Sequence, residues 1–277
     1  MATQLYFITA KTHLHVGSGN SNAGVIDNLV QRDPADNIPC IFASSLKGAF
    51  REYFEEGPDK STTKALADTI FGAGINKQST GNNSKGTHIF HQANLLSIPT
   101  RSNAKPFFNA TCPAILQKFL DDADLFGINL GDTLKSEIAI IQEGCNINEK
   151  TDVFSSEVQN IKVEEYSEFN FRPVSIPNVQ KIFGINLVLF RDEDFADICS
   201  DYSLPVIARN NLENGQSKNL WYEQIVPRQA RFYFFTAYYT VSDDFDTSIV
   251  TKAIQVGANA SIGYGVCLLN NLKTQLS

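Results

Sequence analysis

Three residues with chemically reactive side chains lie in or beside a glycine-rich or aromatic segment of this sequence. Asp27 follows Gly24 in a loop that runs into an Arg-Asp-Pro turn. His15 precedes a Gly-Ser-Gly run, and Glu223 lies in the aromatic segment Leu-Trp-Tyr-Glu-Gln. Carboxylates and imidazoles can exchange protons with a reacting group, and a carboxylate can also hold a divalent cation. These residue types are compatible with acid–base chemistry, with or without a metal ion.

Each of these side chains also has an ordinary structural interpretation. An Asp-Asn pair in a loop, such as Asp27-Asn28, often only hydrogen-bonds its own backbone. His15 follows His13 at the period of a strand. It therefore fits a polar strand end as well as a general acid or base. The residue types alone leave both interpretations open.

Glycines concentrate at the two ends of the chain, in residues 17–24 and 257–265. Such clusters mark places where the backbone takes a positive φ or approaches something bulky closely. A helix C-cap followed by a bulge is the simple alternative for the second cluster. The G-x-G-x-x-G and G-K-[ST] forms are both missing, so an enzyme that binds a small phosphate ligand through these loops is a weak hypothesis.

The apolar periodicity around these segments predicts an α+β fold. Predicted strands cover residues 4–16, 231–241 and 263–269, and Ser44 or Ser45 is expected to cap a helix that extends to Phe54. Two further helices are predicted over 113–122 and about 245–256. Strand–helix–strand units at both ends favour a ferredoxin-like core. We expect one domain, residues 1–277, with insertions at about 72–90 and 142–180, including a polar mobile loop over 79–87.

Composition limits the class of protein further. The 277 residues are 43% hydrophobic and 19% charged, as in ordinary globular proteins. Five widely separated cysteines without a C-x-x-C pair argue against a disulfide framework or a structural zinc site. No apolar run reaches the roughly 18–20 residues that span a membrane, and the first residues lack the pattern of an export signal. The expected location is cytoplasmic, without a membrane partner.

The motifs at both ends of the chain carry a family resemblance. The pattern H-x-G-x-G, then G-x-x-D-N-x-x-x-R-D-P and S-S-L-K-G-x-x-R, with a C-terminal glycine loop, resembles the RAMP proteins of type III CRISPR effectors. Residues 220–227, L-W-Y-E-Q-I-V-P, resemble the L-W-Y-E-E-x-x-P segment of one group within that superfamily. That group is the backbone subunit of the type III-B (Cmr) complex, its fourth subunit. Residues 93–102 and 111–113 fit the same group.

This resemblance implies a ferredoxin-like (RRM-like) RAMP core whose long insertions form a thumb-type hairpin and a lid. It implies a subunit that binds guide CRISPR RNA along a filament and cleaves complementary target RNA at regular intervals in antiviral defence. The implied partners are the guide RNA, the target RNA, further copies of the chain arranged head to tail, and other Cmr subunits. A non-catalytic RNA-binding filament subunit is the alternative.

The resemblance also implies roles for individual residues. Asp27 matches the aspartate regarded as catalytic in the family, and it would hold a divalent metal, Mg²⁺ or Mn²⁺, transiently. The chain would then be a divalent-metal-dependent endoribonuclease, with His15 and Glu223 as further catalytic candidates. Gln224 stands where the family often carries a second glutamate. The functional carboxylate of this segment is therefore either Glu223 or the position that is now Gln224.

A further group of residues is expected to contact RNA. Basic residues cluster around the first glycine motif, which reconciles RNA binding with the net charge of −7. The helix that follows would offer free N–H groups to phosphates. The expected RNA-binding residues are Ser44, Ser45, Lys47, Arg51, Arg32, Gly257, Asn259, Gly263 and Gly265. A solvated helix face is the alternative for Lys47 and Arg51, and core packing is the alternative to RNA contact for Trp221 and Tyr222.

Overall fold

The computed structural model describes residues 1–21, 24–56, 60–73, 85–145, 151–154, 161–167, 169–172, 174–239 and 244–277. Its helices are α1 Ala43–Glu55, α2 Lys60–Phe71, α3 Pro113–Leu125, α4 Asp132–Cys145, α5 Pro177–Phe183, α6 Asp192–Ile198, α7 Asp244–Ile249 and α8 Leu272–Leu276. Its strands are β1 Ala2–Ala10, β2 Gly17–Ser21, β3 Asn28–Val30, β4 Cys40–Ile41, β5 His88–Phe90, β6 Ala93–Thr100, β7 Phe108–Thr111, β8 Thr151–Phe154, β9 Phe169–Phe171, β10 Leu187–Leu189, β11 Val206–Glu213, β12 Gln216–Gln224, β13 Arg231–Tyr238, β14 Ala253–Gln255 and β15 Val266–Asn271.

Four antiparallel strands form the centre of a large sheet, in the spatial order β15–β1–β13–β6. Along the chain they are the fourth, first, third and second strands of this centre. Helix α1 lies between the first and second of them in sequence, and α7 lies between the third and fourth. This β-α-β-β-α-β order with a 4-1-3-2 sheet is ferredoxin-like. The predicted fold class is therefore confirmed.

Aromatic side chains bury both faces of this central sheet. Tyr6 stacks on Phe234 with ring centroids 5.2 Å apart, and Phe50 of α1 packs on the same face. Phe7 lies on the opposite face and contacts Phe119 of α3. Successive strand side chains point to opposite faces, so a strand with helices on both sides is apolar at nearly every position. The sequence of β13 follows that rule.

A smaller sheet of four strands, in the order β11–β12–β3–β2, carries the segments with reactive side chains. Strands β11 and β12 form a long hairpin, and residues 210–220 at its outer end are exposed. Strand β3 pairs with β12 in parallel through Asn28 and Glu223, and with β2 in antiparallel. This sheet therefore joins the first glycine segment to the base of a projecting hairpin.

Several local predictions are confirmed and others are wrong. Helix α3 begins at Pro113 and buries one apolar face, as predicted. The helix predicted over 245–256 ends at Ile249, because Thr251 has a left-handed φ of 63° and the chain continues as β14. The second glycine cluster consequently joins two strands.

The N-cap of α1 is Phe42, so neither predicted serine caps it. Strand β1 ends at Ala10, well before residue 16.

The segment over 142–180, predicted to be irregular, contains strands β8 and β9, and β8 hydrogen-bonds to β10 in the large sheet. Ile161, Val163 and Ile176 are buried there. Most of the loop predicted over 79–87 lies outside the described residues. Within the described part of the chain, no helix combines the length and the apolar character needed to cross a membrane.

Candidate active site

Strand β12 brings Asp27 and His15 to neighbouring points. The backbone N–H of Asp27 donates to the carbonyl of Tyr222 at 3.1 Å, and the N–H of Tyr222 donates to Oδ2 of Asp27 at 2.7 Å. Two residues further along, the carbonyl of Gln224 accepts a hydrogen bond from Nδ1 of His15 at 2.6 Å. Two residues of strand span about 7 Å. Two residues far from β12 in sequence are therefore anchored two positions apart on this strand, at one end of the hairpin.

The Asp27 carboxylate is held at one oxygen. The side chain is half-exposed. Its Oδ2 accepts a hydrogen bond from the backbone of β12 and not from its own loop. The interpretation that Asp27 only hydrogen-bonds its own loop is therefore incomplete. No hydrogen bond to Oδ1 is formed by another described residue. The bond to Tyr222 fixes the direction of the carboxylate, and Oδ1 is left to accept a proton or bind a cation.

The imidazole of His15 is 5% exposed and has a defined tautomer. A carbonyl can only accept, so Nδ1 carries the hydrogen, and neutral His15 has its lone pair on Nε2. The place of a Cβ on Gly17 lies 3.2 Å from that Nε2. On the other side, a Cβ on Gly257 would lie 2.4 Å from the carbonyl oxygen of His15. Both glycines thus make room for this histidine.

Glu223 is 6% exposed and its two oxygens are occupied. Oε1 accepts from Trp221 at 2.9 Å, and Oε2 accepts from Arg209 at 3.0 Å and Asn259 at 2.8 Å. Burial alone would favour the neutral acid, but these hydrogen bonds hold the pKa of Glu223 below its usual value. A committed anion with a lowered pKa is poorly suited to exchange protons. The geometry gives Glu223 a positioning role, tying the hairpin to the second glycine loop.

Gln224 and Arg32 form a buried network that the sequence did not predict. Gln224 is fully buried; its Nε2 donates to the carbonyl of Asp201 at 3.1 Å, and its Oε1 accepts from Val30 and from Arg32. Nε of Arg32 lies 2.8 Å from the Asp201 carboxylate. Burial lowers the pKa of Arg32, and Asp201 partly offsets this. A guanidinium engaged in this way holds β3 against β12 and is not free to bind a phosphate.

Gln31 is a second residue that sequence reasoning missed. It is 6% exposed, and its Nε2 donates to the carbonyl of Gly17 at 3.1 Å and to Oγ of Ser45 at 2.9 Å. Its Oε1 accepts from the N–H of Phe42 at 2.7 Å. Gln31 therefore connects the first glycine segment to the start of α1. Ser44 is exposed beside it.

Lys47 and Arg51 have different surroundings in the structure. Arg51 pairs with Glu55 at 2.7 Å and Asp68 at 3.2 Å, and it donates to the carbonyl of Gly72 at 2.8 Å. Its guanidinium joins α1 to the end of α2. Lys47 is half-buried and has no ion-pair partner among the described residues. This arrangement favours a structural role for Arg51 and leaves phosphate binding by Lys47 as a prediction.

The second glycine loop has left-handed backbone at four of its positions. Gly257, Asn259, Gly263 and Gly265 have φ of 81°, 68°, 83° and 79°. A Cβ on Gly265 would lie 2.2 Å from the carbonyl oxygen of Val256, whereas one on Gly263 would meet nothing within 4 Å. Gly257 and Gly265 thus serve internal packing, and the exposed stretch up to Gly263 is the part that an RNA backbone can reach.

Among the described residues, the candidate site offers a metal ion a single protein ligand, the carboxylate of Asp27. Within the described parts of the chain, no three His, Cys, Asp or Glu side chains are grouped so that they could hold one. Mg²⁺ is often bound through one or two carboxylates together with substrate phosphates. Asp27, with one uncommitted oxygen, is compatible with that arrangement.

The chain matches known proteins over nearly all of its length. The sequence profile described as the RAMP superfamily matches residues 7–267. The CRISPR system Cmr endoribonuclease Cmr4 of Pyrococcus furiosus is 26% identical over 285 residues, covering 96% of this chain and 94% of that protein. The CRISPR system CMR subunit Cmr4 of Saccharolobus solfataricus is 38% identical over 97 residues, covering 35% of this chain and 29% of that protein.

Solved structures show the same fold. A chain of the type III-B Cmr-beta complex bound to cognate target RNA superposes with a TM-score of 0.78 at 24% identity, with 99% of each chain covered. A chain of oligomeric Cmr4 from Pyrococcus furiosus superposes with a TM-score of 0.67 at 20% identity, with 98% of each chain covered. At these identities the likeness establishes the architecture.

Proposed function

This chain belongs to the RAMP superfamily, and we propose that it is the backbone subunit of a type III-B (Cmr) complex that cleaves target RNA paired to a CRISPR guide. The end-to-end match to a relative named as a Cmr endoribonuclease supports the proposal. The observation that carries it is the Asp27 carboxylate, which β12 holds at one oxygen close to the strand position that binds His15. Residues of two separate motifs are thus anchored on one strand at positions about 7 Å apart.

The proposed reaction is an internal transesterification of RNA. The 2′-oxygen attacks the adjacent phosphorus, the bond from phosphorus to the 5′-oxygen breaks, and the proton of the 2′-hydroxyl leaves to a base. Oδ1 of Asp27 is the proposed acceptor of that proton, and the departing 5′-oxygen takes a proton from water. Nε2 of His15 is a second group that can accept a proton. The products are a 2′,3′-cyclic phosphate and a 5′-hydroxyl.

A divalent cation, Mg²⁺ or Mn²⁺, forms part of the proposal. Asp27 would hold it at Oδ1 together with phosphate oxygens of the RNA, and the cation would supply charge neutralisation at the scissile phosphate. Nε2 of His15 would then take the proton of the 2′-hydroxyl in place of Oδ1. The backbone of β12 provides orientation: the N–H of Tyr222 fixes Asp27, and the carbonyl of Gln224 fixes the tautomer of His15.

Guide pairing would supply sequence specificity, so the protein needs to recognise only backbone and shape. An RNA longer than one subunit requires repeated copies, and a head-to-tail interface generates such an array. The relative described as oligomeric is consistent with this arrangement. The alternative, a non-catalytic filament subunit, shares these features and differs only in whether Asp27 is productive.

The proposal is tested with the complex assembled on a guide RNA. We expect a complementary target to be cut at a regular spacing, with cyclic phosphate ends, when Mg²⁺ or Mn²⁺ is supplied. A single 2′-deoxynucleotide at one cut site should block that cut and leave the others. Assembly on the guide without any cutting of the target would favour the non-catalytic alternative.

A further inference from the structure

The two faces of the small sheet differ in character. Glu223 and its partners Asn28 and Arg209 lie on the face towards the second glycine loop. Because side chains alternate along a strand, Tyr222 and Leu29 lie on the opposite face. That face borders a groove of about 700 Å³ whose walls come from residues 24–26, Leu29, residues 201–202, Val206, Ala208 and Tyr222.

The groove is apolar, open and directly beside the candidate catalytic carboxylate. Tyr202 is 98% exposed, Val25 is 87% exposed and Tyr222 is 38% exposed, although all three are large and largely apolar. None of the described residues lining the groove is basic, and its one carboxylate, Asp201, is paired with Arg32. The Tyr222 backbone is bonded to Asp27 on both its N–H and its carbonyl. Groove and carboxylate are therefore parts of one surface.

We propose that this groove binds the nucleobase of the nucleotide whose 2′-hydroxyl attacks the adjacent phosphorus in the proposed reaction, with Tyr222 and Tyr202 as stacking surfaces. The inference rests on the proposed function. The base is attached to the ribose carbon next to C2′, so a ribose with its 2′-hydroxyl at Asp27 must place its base on the adjoining surface. An aromatic groove without a cation suits an uncharged base and not a phosphate, and stacking accepts any base.

A second copy of the chain is the competing occupant, since exposed apolar surface also marks protein interfaces. A protein segment seated in the groove would cover the residues immediately before Asp27 and close the approach to its carboxylate. The continuity between groove and carboxylate therefore favours the nucleotide. The apolar character predicts that cleavage depends on the presence of a base and only weakly on its identity.

The test combines Tyr222→Ala with a target carrying an abasic ribonucleotide, which keeps its 2′-hydroxyl, at one cut site. The Asp27 contacts use the backbone of Tyr222, so they survive the substitution. Single-turnover cleavage by the assembled complex should fall about 5- to 100-fold with Tyr222→Ala on an intact target. It should fall similarly for the unmodified protein on the abasic target, and the two changes together should cause no further loss.

Control variants separate stacking from other effects. Tyr222→Phe should keep near-normal cleavage, and Tyr239→Ala removes a tyrosine that is 74% exposed elsewhere and should change nothing. Equal cutting of abasic and intact targets, or losses that multiply, would overturn the inference. So would a smaller assembly with Tyr222→Ala, because that outcome assigns the groove to a second copy. In either case Asp27→Ala would still abolish cutting if the proposed function is correct, so the two failures are distinguishable.

Discussion

Replacing Glu223 by glutamine would show whether this carboxylate positions the hairpin or takes part in the reaction. Glutamine keeps the size of the side chain but removes the charge, and it turns an amide group towards Arg209 or Asn259. Two charge-assisted hydrogen bonds, at 3.0 and 2.8 Å, are lost or weakened. Each contributes roughly 1.5 kcal/mol. Because the Arg209 side chain is 23% exposed, we discount the sum to a loss of about 2 kcal/mol in unfolding free energy.

The pH dependence gives an independent check on this substitution. The pKa of Glu223 is lowered in the folded protein, so its contribution to stability is present above the unfolded value of about 4.3 and is lost as pH falls through the lower, folded value. Denaturant unfolding at pH 7 and at decreasing pH measures both effects. The difference between Glu223→Gln and the unmodified protein should be largest near neutral pH and shrink below pH of about 4.

A matched control lies on the same hairpin. Glu213 is 3.5 Å from Lys218 in an ion pair with side chains 65% and 55% exposed, so Glu213→Gln should change stability by less than about 0.5 kcal/mol. Cleavage by Glu223→Gln should fall only in proportion to the misplacement of the hairpin. Unchanged stability together with complete loss of cleavage would refute the positioning role and return Glu223 to the catalytic candidates.

Three further outcomes follow from the geometry. Gly257→Ala should lower the free energy of unfolding by more than about 2 kcal/mol, because the φ of Gly257 is 81° and the new methyl would lie 2.4 Å from the His15 carbonyl oxygen. Gly263→Ala adds a methyl in open space and should lower it by about 1 kcal/mol. Thermal unfolding of the two variants compares these losses. Lys47→Ala should reduce the log–log salt slope of RNA binding by about 0.7, while Arg51→Ala should leave the slope unchanged and lower stability; equal slopes for both would contradict the separation. Arg32→Met should destabilise by about 2 kcal/mol, since it removes the contacts of the buried guanidinium with the Cys199 carbonyl and Asp201, while the Asp201 carboxylate, 38% exposed, stays hydrated; unchanged unfolding would contradict the buried network.

The sequence predicted the fold class because its strongest signals are local. The apolar run of β13 and the periodic face of α3 are each visible in a short window. The predicted helix over 245–256 failed because one left-handed residue, Thr251, redirects the chain into β14, and no propensity marks a threonine for that conformation. The predicted serine cap is wrong because the helix begins earlier, at Ala43, and Gln31, just after β3, accepts a hydrogen bond from the N–H of the N-cap residue Phe42.

The candidate site was predictable only where a motif carried it. Asp27 and His15 stand beside glycines, and those spacings resemble a known family. The contacts that hold these residues join positions about 200 apart in sequence, such as His15 with Gln224 and Asp27 with Tyr222. Nothing in the sequence pairs Arg32 with Asp201, so a cation expected to bind RNA is a buried structural residue.

The most direct test of the central claim compares Asp27→Asn with Asp27→Ala in the complex assembled on guide RNA. Asparagine keeps an oxygen that can accept the Tyr222 N–H, so the loop should stay in place, but it can neither take a proton nor carry the charge. We predict that both variants bind guide and target at near-normal affinity and that neither produces the regularly spaced cuts. Cutting by Asp27→Asn at a rate close to that of the unmodified protein would contradict the account and move the reaction away from Asp27.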